Sequence, residues 1–381
     1  MSTLAGKIVQ NQSNKMKIAL ICDWLTGMRG GERCFETACQ LWPDADVFTL
    51  VHVPGSVSPI IESHTIYTSF IQRLCPDTEH FRRCLPLFPF AIERFDLRRY
   101  DVVVSFSHCV AKGVKVRPGA FHICYCHTPM RYAWDMRQSY LASLNIPQKW
   151  IAAMVLNYLK RWDRGTASRV DKFIANSNYI KQRIKAAYDR DATVIYPPVD
   201  CGRFIVLNRD DGYYLIVSAL APYKRIDLAI EAFNSLGKKL VIVGNGHDKA
   251  SLEKIAGKNI EFISNLNDSE VADYMQRCTA LIFPGEEDFG IVPLEAQACG
   301  KPIIAFGRGG ATETVIGLEN TDGKQPTGIF FENQEKECLM SAIRQFESNR
   351  NVFDPAVCRN NALRFDAPLF KNSLYQAVMR P

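Results

Sequence analysis

Nowhere in this 381-residue chain does an apolar run approach the ~18–20 residues that a bilayer-spanning helix requires. The longest, near 17–22, 102–104 and 239–243, are soon interrupted, so no transmembrane segment is expected. The opening MSTLAGKIVQNQSNK lacks a continuous apolar stretch and a small-residue cleavage site; residues 1–15 therefore read as a polar extension ahead of a fold that begins near Met16. There is no disulfide framework either. The 13 cysteines are odd in number and lie mainly on periodic apolar segments, as at Cys22, Cys34, Cys39, Cys278 and Cys299, which points to a reducing, cytoplasmic setting. Zinc-type spacing is missing: Cys124 and Cys126, near His122 and His127, alternate with residues of the opposite strand face, and no metal site is expected. The compact GxGxxG turn that marks a dinucleotide-binding dehydrogenase does not follow the first strand. Excess charge is small, with 46 Lys and Arg against 40 Asp and Glu. A net charge of +6 does not by itself select among nucleic acid, anionic lipid and phosphorylated substrates. No nucleic-acid partner is expected.

What is present suits two globular domains: 47% of residues are apolar and 23% charged, over a length that exceeds one ordinary core. In the second half, β-branched runs at 213–218, 239–243, 260–263, 280–283, 302–305 and 328–331 alternate with helix-period segments at 224–236, 248–257, 268–277, 291–299, 311–316 and 334–347. The first half repeats the theme less regularly, with strands near 17–22, 45–50, 101–105, 121–125, 172–175 and 192–195, and helices after Gly31 and around 148–169 and 177–188. The expected fold is α/β, two Rossmann-like doubly wound domains facing a cleft. Pro197 and Pro198 in YPPVDCGRF break the pattern and place a hinge near 197–211. The expected domains are thus 16–198 and 199–365, with 366–381 a C-terminal segment that packs back on the first domain. Open α/β sheets bind ligands beyond their strands' carboxyl ends, so the site should lie between the domains.

FPGEEDFGIVPLEAQACGKPIIA reads as a strand ending at Phe283, a polar turn, and a helix beginning near Ile291. Helix-start N–H groups and the positive end of the dipole suit an anionic group there, and Gly290 allows close backbone approach. Glu287 lies in the loop and Glu295 inside the helix, where both carboxylates can accept hydroxyl hydrogen bonds; spacing alone also allows them to be solvated surface acids. Lys224 and Arg225 follow the first strand of the second domain and precede a helix with apolar Ile226, Ala229, Ile230 and Phe233. Gly244 and Gly246, then Ser264 and Asn265, follow the next two strands, where they can line a nucleotide pocket. In the first domain Gly30 and Gly31 open a helix, and His127 ends the strand FHICYC.

The segments EDFGIVPLEAQACGKPIIA, GRGGATETV, HTPMRYAWD, NSNYIKQRI, YPPVD and SALAPYKRIDLAIEAF, spread from Lys17 to Phe331, resemble retaining glycosyltransferases of sequence family 4, which have the two-Rossmann-domain GT-B fold. Among them the chain is most similar to bacterial GDP-mannose-dependent mannosyltransferases of surface polysaccharide synthesis. The resemblance implies that Glu287 touches the donor sugar and Glu295 the ribose of a nucleotide-sugar donor. It gives main-chain groups of Phe289, Gly290, Ile291 and Val292 to the sugar and phosphates, and places His127 near the sugar's 6-hydroxyl. Arg131 and Tyr132 are then acceptor-side neighbours, and Glu313 of GGATETV a secondary candidate near the donor. The family usually carries an arginine five positions before Lys224 to help neutralise the leaving diphosphate, but this chain has Ala219 there. Either Arg225 compensates, clamping phosphate as a guanidinium can, or it is a solvated residue at a helix start.

These expectations amount to a cofactor-free transfer, without a divalent metal, from GDP-mannose to a saccharide or lipid-linked acceptor. A UDP-hexose donor, a nucleotide-sugar epimerase on the same architecture, and a non-catalytic nucleotide-sugar binding protein are the alternatives. FIQRLCPDTEHFRRCLPLFPFAIERFDLRRY and KWIAAMVLNYLKRW interleave Arg and Lys with Phe, Leu and Trp. They read either as a surface for peripheral contact with an anionic membrane or as core helices with solvated basic faces.

Overall fold

The computed structural model describes residues 16–75, 81–135, 137, 141, 145–207 and 209–380. The N-terminal extension, and residues 76–80 of the first basic and apolar stretch, lie outside the described residues.

The strands form two sheets, all of whose pairings are parallel. The first has seven strands in the order β3-β2-β1-β4-β5-β6-β7: Ile66–Thr68, Asp46–Thr49, Ile18–Cys22, Val102–Ser107, Phe121–Cys126, Lys172–Ala175 and Ala192–Val194. Parallel strands joined by crossover helices are covered on both faces, which explains why IALIC and VVVSFS are buried along their whole length. Alternation divides the two faces. Leu20, Val104 and Tyr125 enter one apolar cluster, and Ala19, Ile21 and Val103 enter the other.

The second sheet has six strands in the order β10-β9-β8-β11-β12-β13: Ile260–Ile263, Leu240–Val243, Tyr214–Val217, Leu281–Phe283, Ile303–Phe306 and Gly328–Phe331. Its Leu215, Val241 and Leu281 face one cluster, while Ile216, Ile242 and Ile282 face the other. In both sheets the direction of winding reverses beside the first strand, between β1 and β4 and between β8 and β11. Crossover loops part at these reversals and leave a crevice at the carboxyl ends.

Some elements differ from the sequence expectation. β3 was not anticipated; it is a short edge strand of which two residues are exposed, so its sequence lacks the buried apolar run. The helix expected from 224 to 236 is split into a 3-10 turn, Pro222–Lys224, and an α-helix, Ile226–Leu236, because Arg225 adopts a left-handed φ of 52°. The helix expected over 311–316 ends at Thr314, where Val315 turns extended.

The chain passes between domains twice. After Pro197 it enters the second domain, and at Asp366, bridged to Val199, it returns. The helix Ala367–Met379 then inserts Phe370, Leu374, Ala377 and Val378 into the first domain's core beside Leu20 and Val104. Phe370 meets Tyr125 edge-on at 5.5 Å, and Lys172 Nζ donates to the Ala377 carbonyl at 3.3 Å.

Candidate active site in the interdomain cleft

A cleft of about 1150 Å³ opens where the two strand reversals face each other. Its second-domain wall includes Lys224 after β8, Gly244 and Gly246 after β9, Asn265 after β10, and Glu287 through Val292 after β11. From the first domain come Asp23 after β1, Gly30, Gly31, His108 after β4, and His127, Arg131 and Tyr132 after β5.

The loop after β11 is shaped by its neighbours. Gly290 takes a φ of 86°, which an L side chain adopts only at a cost, and from there the helix Ile291–Ala298 begins. Behind it the loop after β12 presses close. Gly310 N donates to the Glu287 carbonyl at 2.8 Å, and a Cβ on Gly310 would lie 2.2 Å from Phe289 Cα. This is the physical reason for the paired glycines of GRGGATETV. Held this way, Glu287 places Oε1 2.5 Å from Lys224 Nζ, an ion pair between the two strand ends that flank the reversal. An ammonium already charge-paired at the cleft wall has further N–H donors for an anionic ligand.

His127 is enclosed where β5 ends. Gly31 lies against its ring, and Asn176 Nδ2 donates to its carbonyl at 3.1 Å. Burial, with the nearby His108, pushes its pKa down to about 3, so the ring is neutral near pH 7 and offers one donor and one acceptor.

Other anticipated residues stand differently. Arg225 is absent from the cleft wall; its left-handed backbone turns the guanidinium toward Asp227 Oδ1 and Gln334 Oε1, each at 3.4 Å. Glu295 lies behind the wall, mostly buried, with Arg203 Nη2 3.4 Å away, and burial raises its pKa. Arg203 also shares Asp268 with Arg33, both at 2.6 Å, so this carboxylate belongs to a bridge between the domains. Ser264 is turned inward, donating to the Gly244 carbonyl at 2.8 Å and accepting from Lys249 Nζ at 2.9 Å. Arg131, expected on the acceptor side, pairs with Asp288 in the loop after β11. Gly30 abuts Ile291 across the cleft.

Sequence reading missed two features. Asp23 is buried and accepts four main-chain N–H bonds, from His108 and Cys109 to Oδ2 at 2.7 and 2.9 Å and from Val110 and Ala111 to Oδ1 at 2.6 and 2.8 Å. His108 Nδ1 lies 3.1 Å from the same carboxylate, which fixes its ring at the cleft. The available signal was a polar residue immediately after each of two adjacent apolar strands. The second feature is the seam between domains. Glu313 Oε2 and Oε1 accept from the main-chain N–H of Asn178 and Tyr179 at 2.8 and 2.9 Å, Tyr179 OH donates to Glu286 at 2.7 Å, and Ser177 Oγ donates to the Asp288 carbonyl at 2.6 Å. These pairs are more than 100 residues apart in sequence, so no local pattern announces them. Among the described residues, no group of three or more His, Cys, Asp or Glu is placed to hold a metal ion.

With this geometry in view, the match to known proteins is decisive. Residues 28–203 fit the family model for glycosyltransferase family 4, and residues 203–364 fit that for glycosyl transferases group 1. The chain belongs to the family 4 glycosyltransferases. An uncharacterized glycosyltransferase of Methanocaldococcus jannaschii is 35% identical over 188 residues, which are 48% of this chain and 51% of the relative. The alpha-1,3/1,6-mannosyltransferase ALG2 of Candida glabrata is 24% identical over 302 residues, 65% of this chain and 63% of the relative. The chain thus spans between half and two thirds of the length of these curated relatives. Among solved structures, HepE of Anabaena in complex with UDP shares the GT-B fold, with a TM-score of 0.68 at 18% identity over 96% of this chain and all of that one. The family boundary at residue 203 coincides with the segment by which this glycosyltransferase passes from its first domain to its second.

Proposed function

We propose that the protein transfers a hexosyl group, mannose from GDP-mannose, to a hydroxyl of a saccharide or lipid-linked acceptor in surface polysaccharide synthesis, with retention at the anomeric carbon. The observation that carries this reading is the Lys224–Glu287 pair at the cleft wall, beside the glycine-started helix Ile291–Ala298. Glu287 orients the sugar, and Lys224 with the main-chain N–H groups after Gly290 stabilises charge on the departing diphosphate. The bond from the anomeric carbon to the diphosphate oxygen breaks as the bond to the acceptor oxygen forms on the same face. The acceptor's proton passes to the departing diphosphate. Neutral His127 contributes a hydrogen bond to a sugar hydroxyl. Mannose as the sugar is supported by HTPMRYAWD and PYKRIDLAIEAF and by the mannosyltransferase named among the relatives.

A thermal-shift panel of GDP-mannose, UDP-glucose and UDP-galactose tests the donor, because a ligand that binds only the folded chain raises its apparent stability. The expected result is the largest shift with GDP-mannose; a preference for a UDP-hexose replaces the donor and keeps the reaction. An inverted anomeric product by NMR overturns retention, and donor conversion without an acceptor moves the protein to the epimerases. Protein cations suffice for the diphosphate on this account, so EDTA should leave the rate unchanged.

We further propose that the protein works at the face of an anionic membrane. Among the described residues no helix is long and apolar enough to cross one. The helix Ile146–Thr166, however, exposes Ile146, Trp150, Ile151, Met154 and Tyr158 along its first turns, with Lys149, Arg161 and Arg164 also exposed. An apolar stripe with a cationic rim matches the boundary between acyl chains and acidic headgroups.

A further inference from the structure

The donor loop presents two consecutive carboxylates, Glu287 and Asp288, and each is paired with a cation at the cleft wall. Glu287 holds Lys224, from its own domain, at 2.5 Å. Asp288 holds Arg131, from the other domain. The two cations share a further neighbour: Lys224 Nζ lies 5.2 Å from the centre of the Tyr223 ring, and the Arg131 guanidinium carbon lies 5.6 Å from it. Arg131, Tyr223, Lys224, Glu287 and Asp288 all line the cleft. On the second domain's own side the wall carries Ala219 at the end of β8 and no guanidinium there, and Arg225 is engaged with Asp227 and Gln334.

We propose that Arg131 supplies the second positive charge on the donor's diphosphate, reaching it from the first domain, so that the phosphate site is complete only when the two domains are together. This rests on the glycosyl-transfer reading above. Its physical basis is how Asp288 is compensated. Arg183 Nη1 also binds that carboxylate, at 2.7 Å, and Ser177 Oγ binds the same residue's carbonyl at 2.6 Å. When a diphosphate arrives, Arg131 can turn to it without leaving Asp288 as a bare anion in a mostly buried place. Arg183 remains, whereas a carboxylate stripped of its one cation there would oppose the move. A guanidinium presents a planar fork that meets two phosphate oxygens at once, and the neighbouring lysine adds a compact charge; the two are complementary, not redundant.

The test separates a phosphate contact from a domain-docking role. Arg131→Ala should lower transfer by about 100-fold, the scale for removing one donor that faces developing charge, and should weaken GDP affinity in parallel with that of the whole sugar nucleotide. Arg131→Lys should recover part of the loss. The decisive variant adds an arginine at the empty wall position: Ala219→Arg in the Arg131→Ala background places a guanidinium at the end of β8, and should restore GDP binding and a measurable share of the rate. If Arg131 only docks the domains, GDP affinity measured by calorimetry stays within about twofold in Arg131→Ala, and Ala219→Arg restores nothing; that result overturns the proposal. GDP and UDP titrations run in parallel keep this distinct from failure of the functional reading. If wild-type protein binds neither nucleotide, the glycosyl-transfer reading itself fails, whereas nucleotide binding that ignores Arg131 removes only the present inference.

Discussion

At the scale of single residues, charge placement governs what the cleft can do. Lys224 is held against Glu287, so its ammonium is oriented before any donor arrives and costs little to reorganise. Lys224→Ala should therefore lower kcat by about 100-fold or more while leaving the melting temperature within a few degrees, since one side chain at a cleft wall contributes little core. Full activity in that variant would remove the lysine from the mechanism. The histidines give a second prediction. His122 is fully buried, with Nδ1 3.0 Å from the Arg169 carbonyl and Nε2 2.8 Å from Ser105 Oγ, and burial pushes its pKa down to about 4. His127 is pushed down to about 3 for the same reason. The unfolded chain binds protons at these rings near pH 6.5 and the folded chain does not, so stability is full above that pH and is lost as the pH falls toward about 4. Each ring contributes at most about 1.4 kcal/mol per pH unit in this window. The melting temperature should drop between pH 6.5 and 5, and His122 ring signals in NMR should show no titration there; a midpoint near 6.5 for His122 contradicts its buried, hydrogen-bonded setting.

Elements explain which parts of this site could be read from sequence. Apart from the exposed edge strand β3, the strands of both sheets were legible because parallel strands covered on two faces need unbroken apolar runs, and the loop after β11 was legible because Phe283, Glu287 and Gly290 fall within one strand-loop-helix unit. Arg225 was not. It follows a lysine in sequence, yet the left-handed turn that ends Pro222–Lys224 sends the two side chains apart. The seam was hidden for another reason: the start of the helix Asn178–Tyr188 is capped from both domains. Ser177 Oγ accepts from Ile180 N at 3.1 Å, and Glu313 fills the preceding N–H groups from the second domain. A carboxylate at a helix N-terminus satisfies otherwise unpaired donors and complements the dipole. Glu313→Gln keeps the shape and removes the charge, and by analogy with lost caps should cost about 1 kcal/mol, here drawn from the closed arrangement of domains. The expected outcome is a larger radius of gyration in X-ray scattering without donor, returning toward the wild-type value when donor is added. A radius unchanged in both conditions would show that the helix-end charge does not hold the seam.

On the scale of the whole molecule, the two crossings of the chain tie catalysis to shape. The first domain owns a helix, Ala367–Met379, that follows the second domain in sequence, so the two domains are joined by two connections, at Val199 and Asp366. The cleft between them takes the loop after β11 from one domain and Arg131 from the other. On the proposed function an acceptor enters from the first domain's side, and that domain also carries the exposed stripe of the helix Ile146–Thr166. Trp150 and Met154 are 71% and 63% exposed, large apolar groups with no partner of sufficient area to cover them among the described residues. If this stripe rests in a headgroup layer, the full-length protein should float with liposomes containing anionic phosphatidylglycerol and remain in solution with neutral phosphatidylcholine, and raised salt should weaken the capture by screening. Trp150→Glu together with Met154→Glu should abolish flotation and leave the donor's thermal shift intact, because neither residue lines the cleft. Capture that persists in the double variant would place the contact elsewhere on the first domain, and capture indifferent to both lipid charge and salt would reject the electrostatic part of the account.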